Sequence, residues 1–298
     1  MKRKCFRLAA MAAILEHNTH VEGIESLVEL IAGRRVAVLT GAGVSTDSGI
    51  PDYRGKGASK RTPMNIGDFL SGHSFRQRYW AGAHVGWKSF SDAQPNQGHL
   101  ALAAMEQAGI IEGVISQNVD GLHRRAGSSH VVDLHGSLDR VVCLECGQQF
   151  DRSGVESKLS ELNPWLDELS NIVLAPDGDV DVTDYSSVQV PECTVCGGML
   201  KPDVVFFGEF VPPKVFTAAS SLIKRANVLL IAGSSLAVNS GIRLLDQAKR
   251  QRMPIIIVNR GETKGDKKAS IKLEAGTSDV LSSLALSLGA GNLYEDIE

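Results

Sequence analysis

Arg35-Val-Ala-Val-Leu-Thr-Gly-Ala-Gly-Val-Ser-Thr46 decides the fold of this 298-residue chain. Its first half, Arg35 to Thr40, is a short and nearly unbroken apolar run, as a parallel strand buried on both faces requires. The run ends in Gly41-Ala42-Gly43, with Ser45 and Thr46 close behind. A strand that runs into G-x-G and a turn is where a dinucleotide pyrophosphate sits. The glycines let backbone N–H groups approach the phosphates, and the N-terminus of a following helix faces the negative charge. The third position of that fingerprint is Thr46 rather than glycine, so on this stretch alone a plain structural turn stays open.

Similar apolar runs recur along the chain at Gly113-Val-Ile-Ser116, Val131-Val-Asp-Leu134, Val204-Val-Phe-Phe207, Val228-Leu-Leu-Ile231 and Ile255-Ile-Ile-Val258. Helical stretches separate many of them: Glu25 to Ala32, with Leu27, Leu30 and Ile31 on one face, then His99 to Ala108, Ala218 to Arg225 and Ile242 to Arg250. This alternation predicts an α/β fold, a Rossmann-like doubly wound parallel sheet. Two segments break the rhythm. Residues 55 to 95 lack strand character and are expected to form a helical flap. Residues 141 to 203 hold two cysteine pairs around an irregular acidic interior, Ala175-Pro-Asp-Gly-Asp-Val-Asp181. They read as a smaller zinc-binding lobe inserted into the sheet. The expected division is an N-terminal extension (1–24), a catalytic domain (25–290) and a C-terminal tail (291–298). Within the domain, a large lobe takes about 25–54, 96–140 and 204–290, and a small lobe about 55–95 and 141–203.

The cysteine pairs are Cys143-Leu-Glu-Cys146 and Cys193-Thr-Val-Cys196. Two C-x-x-C knuckles can aim four sulfurs at one tetrahedral Zn²⁺. Gly147 and Gly197 follow the second cysteine of each pair, where such a knuckle turns. Four thiolates fill the tetrahedron and leave no position for water, so the expected metal is structural.

Polar residues cluster where the apolar runs end. Gln117-Asn118-Val119-Asp120 follows one run, His135-Gly136 another, Gly233-Ser234-Ser235 a third and Asn259-Arg260-Gly261 a fourth. In an open α/β sheet these are the carboxyl ends of strands, where ligands bind. Gln117, Asn118 and Asp120 suit a ribose and an amide. A neutral His135 can take a proton from a sugar hydroxyl near pH 7. After the glycine loop, Pro51 stiffens a segment that presents Asp52, Tyr53 and Arg54 together.

Bulk properties narrow the classes of function. Hydrophobic residues make up 43% and charged residues 22%, and the net charge is −3. That charge gives no pull toward nucleic acid. No run reaches the length of a membrane span. Only Cys5 lies outside the two pairs, which argues against a disulfide framework and for a reducing compartment. The basic start, Met1-Lys-Arg-Lys4 with Arg7, precedes a short apolar run from Leu8 to Leu15. An extra helix or tail is the plainer reading, with a targeting presequence the alternative. The expected location is therefore the cytoplasm, or the mitochondrion if the basic start is a presequence.

Taken in order, Gly41 to Ser45, Gly49-Ile-Pro-Asp-Tyr-Arg54, Gln117 to Asp120, His135-Gly136, the four cysteines, Gly233 to Ser235 and Asn259 to Gly261 resemble the motifs of sirtuins. Sirtuins are NAD-dependent protein deacylases. Pro51-Asp-Tyr-Arg54, Leu174-Ala-Pro-Asp-Gly-Asp179 and Lys201-Pro-Asp-Val-Val-Phe-Phe-Gly208 look like the class II branch. The resemblance implies that NAD is consumed as a co-substrate, with the acyl group passing to ADP-ribose and nicotinamide leaving. It implies His135 as general base, with Asn118 and Arg54 as further catalytic residues. It implies NAD contacts from the 41–54 loop, Arg61, the 117–120 segment, the 233–235 and 259–261 turns, and Thr277, which would flank adenine through its backbone with a side chain under little constraint. Val204, Val205, Phe206, Phe207 and Gly208 would pair with the backbone of an acylated-lysine peptide. Acetyl-lysine is the expected substrate. Mono-ADP-ribosyl transfer and longer-chain, lipoamide-type deacylation are the alternatives. The Tyr-x-x-Arg pair of the desuccinylase-like branch is missing between 55 and 95.

Overall fold

A computed structural model describes residues 22–53, 63–169 and 173–290. Arg54, Arg61, Cys5, most of the N-terminal extension and the C-terminal tail lie outside them. The main sheet holds β1 (Val36–Thr40), β2 (Ile111–Ser116), β3 (Val131–Asp133), β7 (Val228–Ala232), β8 (Ile255–Val258) and β9 (Ile271–Leu273), numbered along the chain. Their order is β3-β2-β1-β7-β8-β9, and every pairing is parallel. This is the doubly wound arrangement expected. β1, β7 and β8 are buried at every residue, which is why their sequences read as continuous apolar runs.

Helices cover both faces. On one side α1 (Ile24–Ile31), α4 (Gln97–Gln107) and α9 (Thr277–Ser287) bury Leu27, Leu102, Met105, Val280 and Leu284 against Val36, Val38 and Leu230. On the other, α7 (Pro213–Arg225) and α8 (Asn239–Arg250) bury Leu222, Ile223, Leu244 and Leu245 against Ala37, Leu39 and Ile257. Strand order reverses between β1 and β7, and in such sheets the crevice at that switch point takes the ligand.

A second, antiparallel sheet has the order β5-β4-β6, from β4 (Gly136–Cys143), β5 (Gln149–Asp151) and β6 (Leu200–Val204). The segment after residue 55 contains α2 (Ile66–Ser71) and α3 (His73–Asp92), helical as expected. Phe69, Tyr79, Trp80, Val141, Leu159 and Phe206 share one core with α6 (Arg152–Leu162). Gly82 and Gly86, one turn apart on α3, let the acidic loop pass against the helix. A Cβ on Gly82 would lie 2.0 Å from Asp179 Oδ1, and one on Gly86 2.1 Å from the Gly178 carbonyl. Arg152 is buried, ion-paired to Glu156 and set against Trp80 and Trp87. Glu156 also bonds His84 Nδ1 at 2.5 Å.

Two expectations fail. Val204 to Phe207 is not a strand of the parallel sheet. Val204 ends β6, which pairs antiparallel with β4, and the following residues run along the cavity rim with one bridge from Phe207 to Asn65. No α-helix begins behind the glycine loop. Two three-residue 3-10 turns, Ala42–Val44 and Thr46–Ser48, stand there, closed by Gly49 at φ +83°. Pro51 soon after removes a backbone donor that a continuing helix needs.

Candidate active site

A cavity of about 1580 Å³ opens at the carboxyl ends of β1, β2 and β7. Single small-molecule sites run to roughly 1,000 Å³, so this space suits a dinucleotide together with a segment of a second substrate. Its wall contains Gly41, Ala42, Gly43, Ser45, Thr46, Pro51, Asp52, Tyr53, Gln117, Asn118, Val119, Asp120, His135, Gly233, Ser234, Ser235, Asn259, Arg260, Gly261 and Thr277. Val204 to Gly208 lines it as well. The strand ends singled out in the sequence thus meet around one space. Arg54 and Arg61 lie outside the described residues.

The glycines of the loop also answer a packing need within the fold. A Cβ on Gly41 would sit 2.8 Å from the Gly233 carbonyl oxygen, and one on Gly43 would sit 2.9 Å from Gly233 Cα. Their missing side chains let the loop lie directly on the turn after β7, with Gly41 N donating to Ala232 O and Gly43 N to Gly233 O. Thr277 Oγ1 donates to the Gly43 carbonyl at 3.2 Å, so that side chain is tied to the loop rather than unconstrained. Asn96, which the sequence reading passed over, caps α4 and also donates to Val44 O at 2.8 Å and to Ser48 Oγ at 3.0 Å.

Beside the loop lies a continuous polar network. Asn118 Nδ2 donates to Gly41 O at 3.1 Å and to Ser45 Oγ at 3.0 Å. Ser45 Oγ donates to Asp120 Oδ2 at 2.7 Å, and Leu122 N, at the start of the short helix α5 (Leu122–Arg125), donates to Asp120 Oδ1 at 2.9 Å. Asp120 is buried. Burial pushes its carboxyl above the ordinary range, and the bonds from Ser45 and Leu122 offset only part of that. The network fixes the Asn118 amide toward the loop.

His135 follows β3 at the start of the second sheet. Its Nδ1 lies 2.8 Å from the Gln117 carbonyl, and its Nε2 lies 2.8 Å from Ser240 Oγ. A carbonyl only accepts, so Nδ1 carries the hydrogen and Nε2 the lone pair. Burial pulls the imidazole below its ordinary value of 6.5, with the Gln117 bond working against it. The ring is therefore neutral near pH 7, and both His135 and Ser240 line the cavity. Nothing in the sequence marks Ser240, because its role depends on where the first turn of α8 lands.

Val205 N donates to the His135 carbonyl at 2.8 Å, which joins the rim segment to the base. Phe206 turns inward against Phe69 and Tyr79, while Phe207 is half exposed. Ile50, Met64, Tyr79, Leu138 and Phe206 add apolar side chains to the cavity lining. Met64 and Tyr79 come from the 55–95 segment, where the sequence reading named Arg61 but neither of these.

The four cysteines stand apart from the cavity wall. Their sulfurs lie within 4.8 Å of one another, with Cys143 and Cys196 at 3.5 Å and Cys146 and Cys193 at 3.8 Å. A tetrahedral Zn²⁺ with Zn–S bonds of about 2.3 Å sets its sulfurs about 3.8 Å apart, so the site fits the ion. The two knuckles match. Gly147 N donates to Cys143 O and Gly197 N to Cys193 O, and both glycines have φ +74°.

A doubly wound sheet with a dinucleotide-sized crevice at its switch point, joined to a four-cysteine lobe, defines an α/β nucleotide-binding enzyme class. The Sir2 family model matches residues 41–240. A Mycobacterium avium protein named NAD-dependent protein deacetylase 1 is 51% identical over 87% of this chain and 93% of its own length. Human NAD-dependent protein lipoamidase sirtuin-4, mitochondrial, is 44% identical over 87% of this chain and 85% of its own. A solved structure described as Sir2 with a p53 peptide and NAD+ superposes with a TM-score of 0.73 at 31% identity, covering 89% of this chain and 98% of that one. The chain belongs to the Sir2 family.

Proposed function

We propose that the chain is an NAD-dependent protein-lysine deacylase, and first of all a deacetylase, that works in the cavity between β1 and β7. The observation that carries this reading is His135, a neutral imidazole that lines a cavity of dinucleotide size together with Ser240, the partner of its Nε2. The names of the bacterial relatives support it, as does a solved Sir2 structure described as bound to acetylated peptide. NAD, when bound, supplies ADP-ribose as acyl acceptor and nicotinamide as leaving group.

The chain's own residues divide the work. The 41–53 loop, with Arg54 and Arg61, would hold the phosphates. Gln117, Asn118 and Asp120 hold the nicotinamide end, with Asn118 aimed by its bonds to Gly41 O and Ser45 Oγ. The 233–235 and 259–261 turns and Thr277 cradle the adenosine end. Val204 to Gly208 offers backbone groups to the substrate peptide. With NAD bound, His135 Nε2 would take the proton of a ribose hydroxyl and so activate that oxygen toward the acyl carbon. The cysteines hold a structural zinc that keeps the antiparallel sheet and its knuckles together. The two-lobe division at about 55–95 and 141–203, and membership of the class II branch, belong to the same reading. Among the described residues no helix is long and apolar enough to cross a membrane. Thiolate ligands and a net charge of −3 favour a reducing, cytoplasmic setting and protein rather than nucleic-acid partners.

The apolar side chains in the cavity lining, and relatives named lipoamidase, favour a second substrate on the same site, a longer neutral acyl chain of the lipoamide type. Label in the adenylate part of NAD separates the outcomes. Deacylation puts it on a small acyl-ADP-ribose product, whereas label retained on protein would replace this reading with ADP-ribosyl transfer. An acyl-peptide panel with that NAD ranks acetyl against longer chains.

A further inference from the structure

Ser240 lies in the first turn of α8, outside every motif quoted from the sequence, and its hydroxyl reaches His135 Nε2 at 2.8 Å. We infer that Ser240 is a positioning residue for His135: with the Gln117 carbonyl it clamps the imidazole at both ring nitrogens and keeps Nε2 aimed where the co-substrate's hydroxyl must arrive. The kinetic consequence rests on the deacylase reading, but the clamp itself does not.

Three features of the fold deliver that hydroxyl. First, Gly241 removes the side chain that would keep α8 away. A Cβ there would lie 2.8 Å from Gln117 Nε2. Second, Gln117 is fixed from the other side, because Ser234 Oγ donates to its Oε1 at 2.5 Å. The residue that supplies the Nδ1 partner is thus packed against the helix that supplies the Nε2 partner. Third, the loop from β7 to α8 turns at Leu236, a fully buried leucine held at φ +54°. A non-glycine residue keeps that conformation only where its surroundings enforce it. Leu236 N donates to Ser234 Oγ at 3.2 Å, which ties the strained turn to the same network.

The hydrogen-bond inventory gives Ser240 its function. Nδ1 is committed to a carbonyl, so Nε2 can only accept, and Ser240 is the donor it accepts from. Rotating the ring by a half turn would put carbon atoms opposite both partners and lose both bonds. Each bond is worth about a fivefold preference for the aligned ring. When a ribose hydroxyl arrives, it replaces one O–H donor by another at the same lone pair. Nε2 is never left buried without a partner, and the ring does not have to turn.

The test uses the full chain labelled with ¹⁵N-histidine, with Ser240→Ala, Ser240→Thr, and His135→Ala to assign the signal. In the unsubstituted protein, His135 is expected to show a single Nδ1–H tautomer with a hydrogen-bonded Nε2. Ser240→Ala should move the Nε2 resonance toward that of an unbonded imine nitrogen, and Ser240→Thr should restore it. With NAD and acetylated peptide, kcat/KM for NAD should fall by less than about twofold in the alanine variant, because the Gln117 bond alone still favours the aligned ring about fivefold, and recover in the threonine variant. An Nε2 resonance that ignores Ser240→Ala would overturn the inference, as would a kinetic loss that threonine does not repair. A resonance that responds as expected in a protein without any NAD-dependent turnover would uphold the clamp and sink the deacylase reading.

Discussion

Gly136 joins the base to the antiparallel sheet, and replacing it with alanine tests whether that junction is as tight as the geometry says. It has φ +84°, and a Cβ there would lie 1.9 Å from the Asp203 carbonyl oxygen and 2.8 Å from Val204 Cα. Two costs follow. The left-handed backbone costs an alanine about 1–2 kcal/mol. The overlap is with backbone rather than with a flexible side-chain end, so β4 and β6 must separate by about 1 Å. Overpacking of this kind adds about 1–3 kcal/mol. The sum is about 2–5 kcal/mol, and at about 2–4 °C per kcal/mol for a domain of this size the melting temperature should fall by about 4–20 °C. Gly33 is the control. It has φ +70° and nothing within 4 Å of an added Cβ, so Gly33→Ala carries only the backbone cost of about 1–2 kcal/mol. Scanning calorimetry on both variants makes the comparison. Below its melting point Gly136→Ala should also lose turnover, since the shift moves Val205 away from the His135 carbonyl. Equal melting temperatures for the two variants would refute the reasoning, because steric closeness at Gly136 would then contribute nothing.

Two further perturbations probe the second sheet and its helices. Cys143→Ser should lower zinc content and melting temperature together. Even a quarter of the roughly 10–16 kcal/mol typical of a structural zinc site is about 3–4 kcal/mol, and a variant that melts normally while keeping one zinc per chain would contradict the structural role. His84 offers a pH test. Burial pulls its pKa down, but the bonds and charges of Glu156 and Asp167 more than offset this, and the net shift is upward from 6.5. Its contribution to stability is then fully present below the unfolded value and lost as pH rises through the folded one. Chemical denaturation across that range should show falling stability, and His84→Gln should flatten that slope; an unchanged slope would count against the buried pair.

The parallel sheet was legible because strands buried on both faces have no polar alternation to disguise them. β9 escaped for the opposite reason: Ile271-Lys-Leu273 is a three-residue edge strand, half-buried throughout. The run Val204 to Phe207 misled because apolar continuity does not say which core receives it. Phe206 packs on Tyr79, not on the parallel sheet. The expected helix behind the glycine loop failed on local chemistry, with Gly49 left-handed and Pro51 just beyond. Strand-end residues such as Asn118, Asp120 and His135 were readable, since strand ends in such a sheet converge by topology. Ser240, Asn96, Met64 and Tyr79 were not, because each reaches the cavity or its loop through packing between distant segments. The packing role of Gly41 and Gly43 was not legible either, because it depends on a turn about 190 residues away along the chain. Their missing Cβ atoms make room for the 233–234 turn.

The central claim is that this cavity couples NAD consumption to lysine deacylation through His135. The most direct measurement is to count nicotinamide released against lysine freed, using the full chain, an acetylated peptide and NAD. The account predicts one nicotinamide per lysine, no reaction when NAD is withheld, and near-complete loss in His135→Ala. Deacetylation that proceeds undiminished without NAD would contradict it.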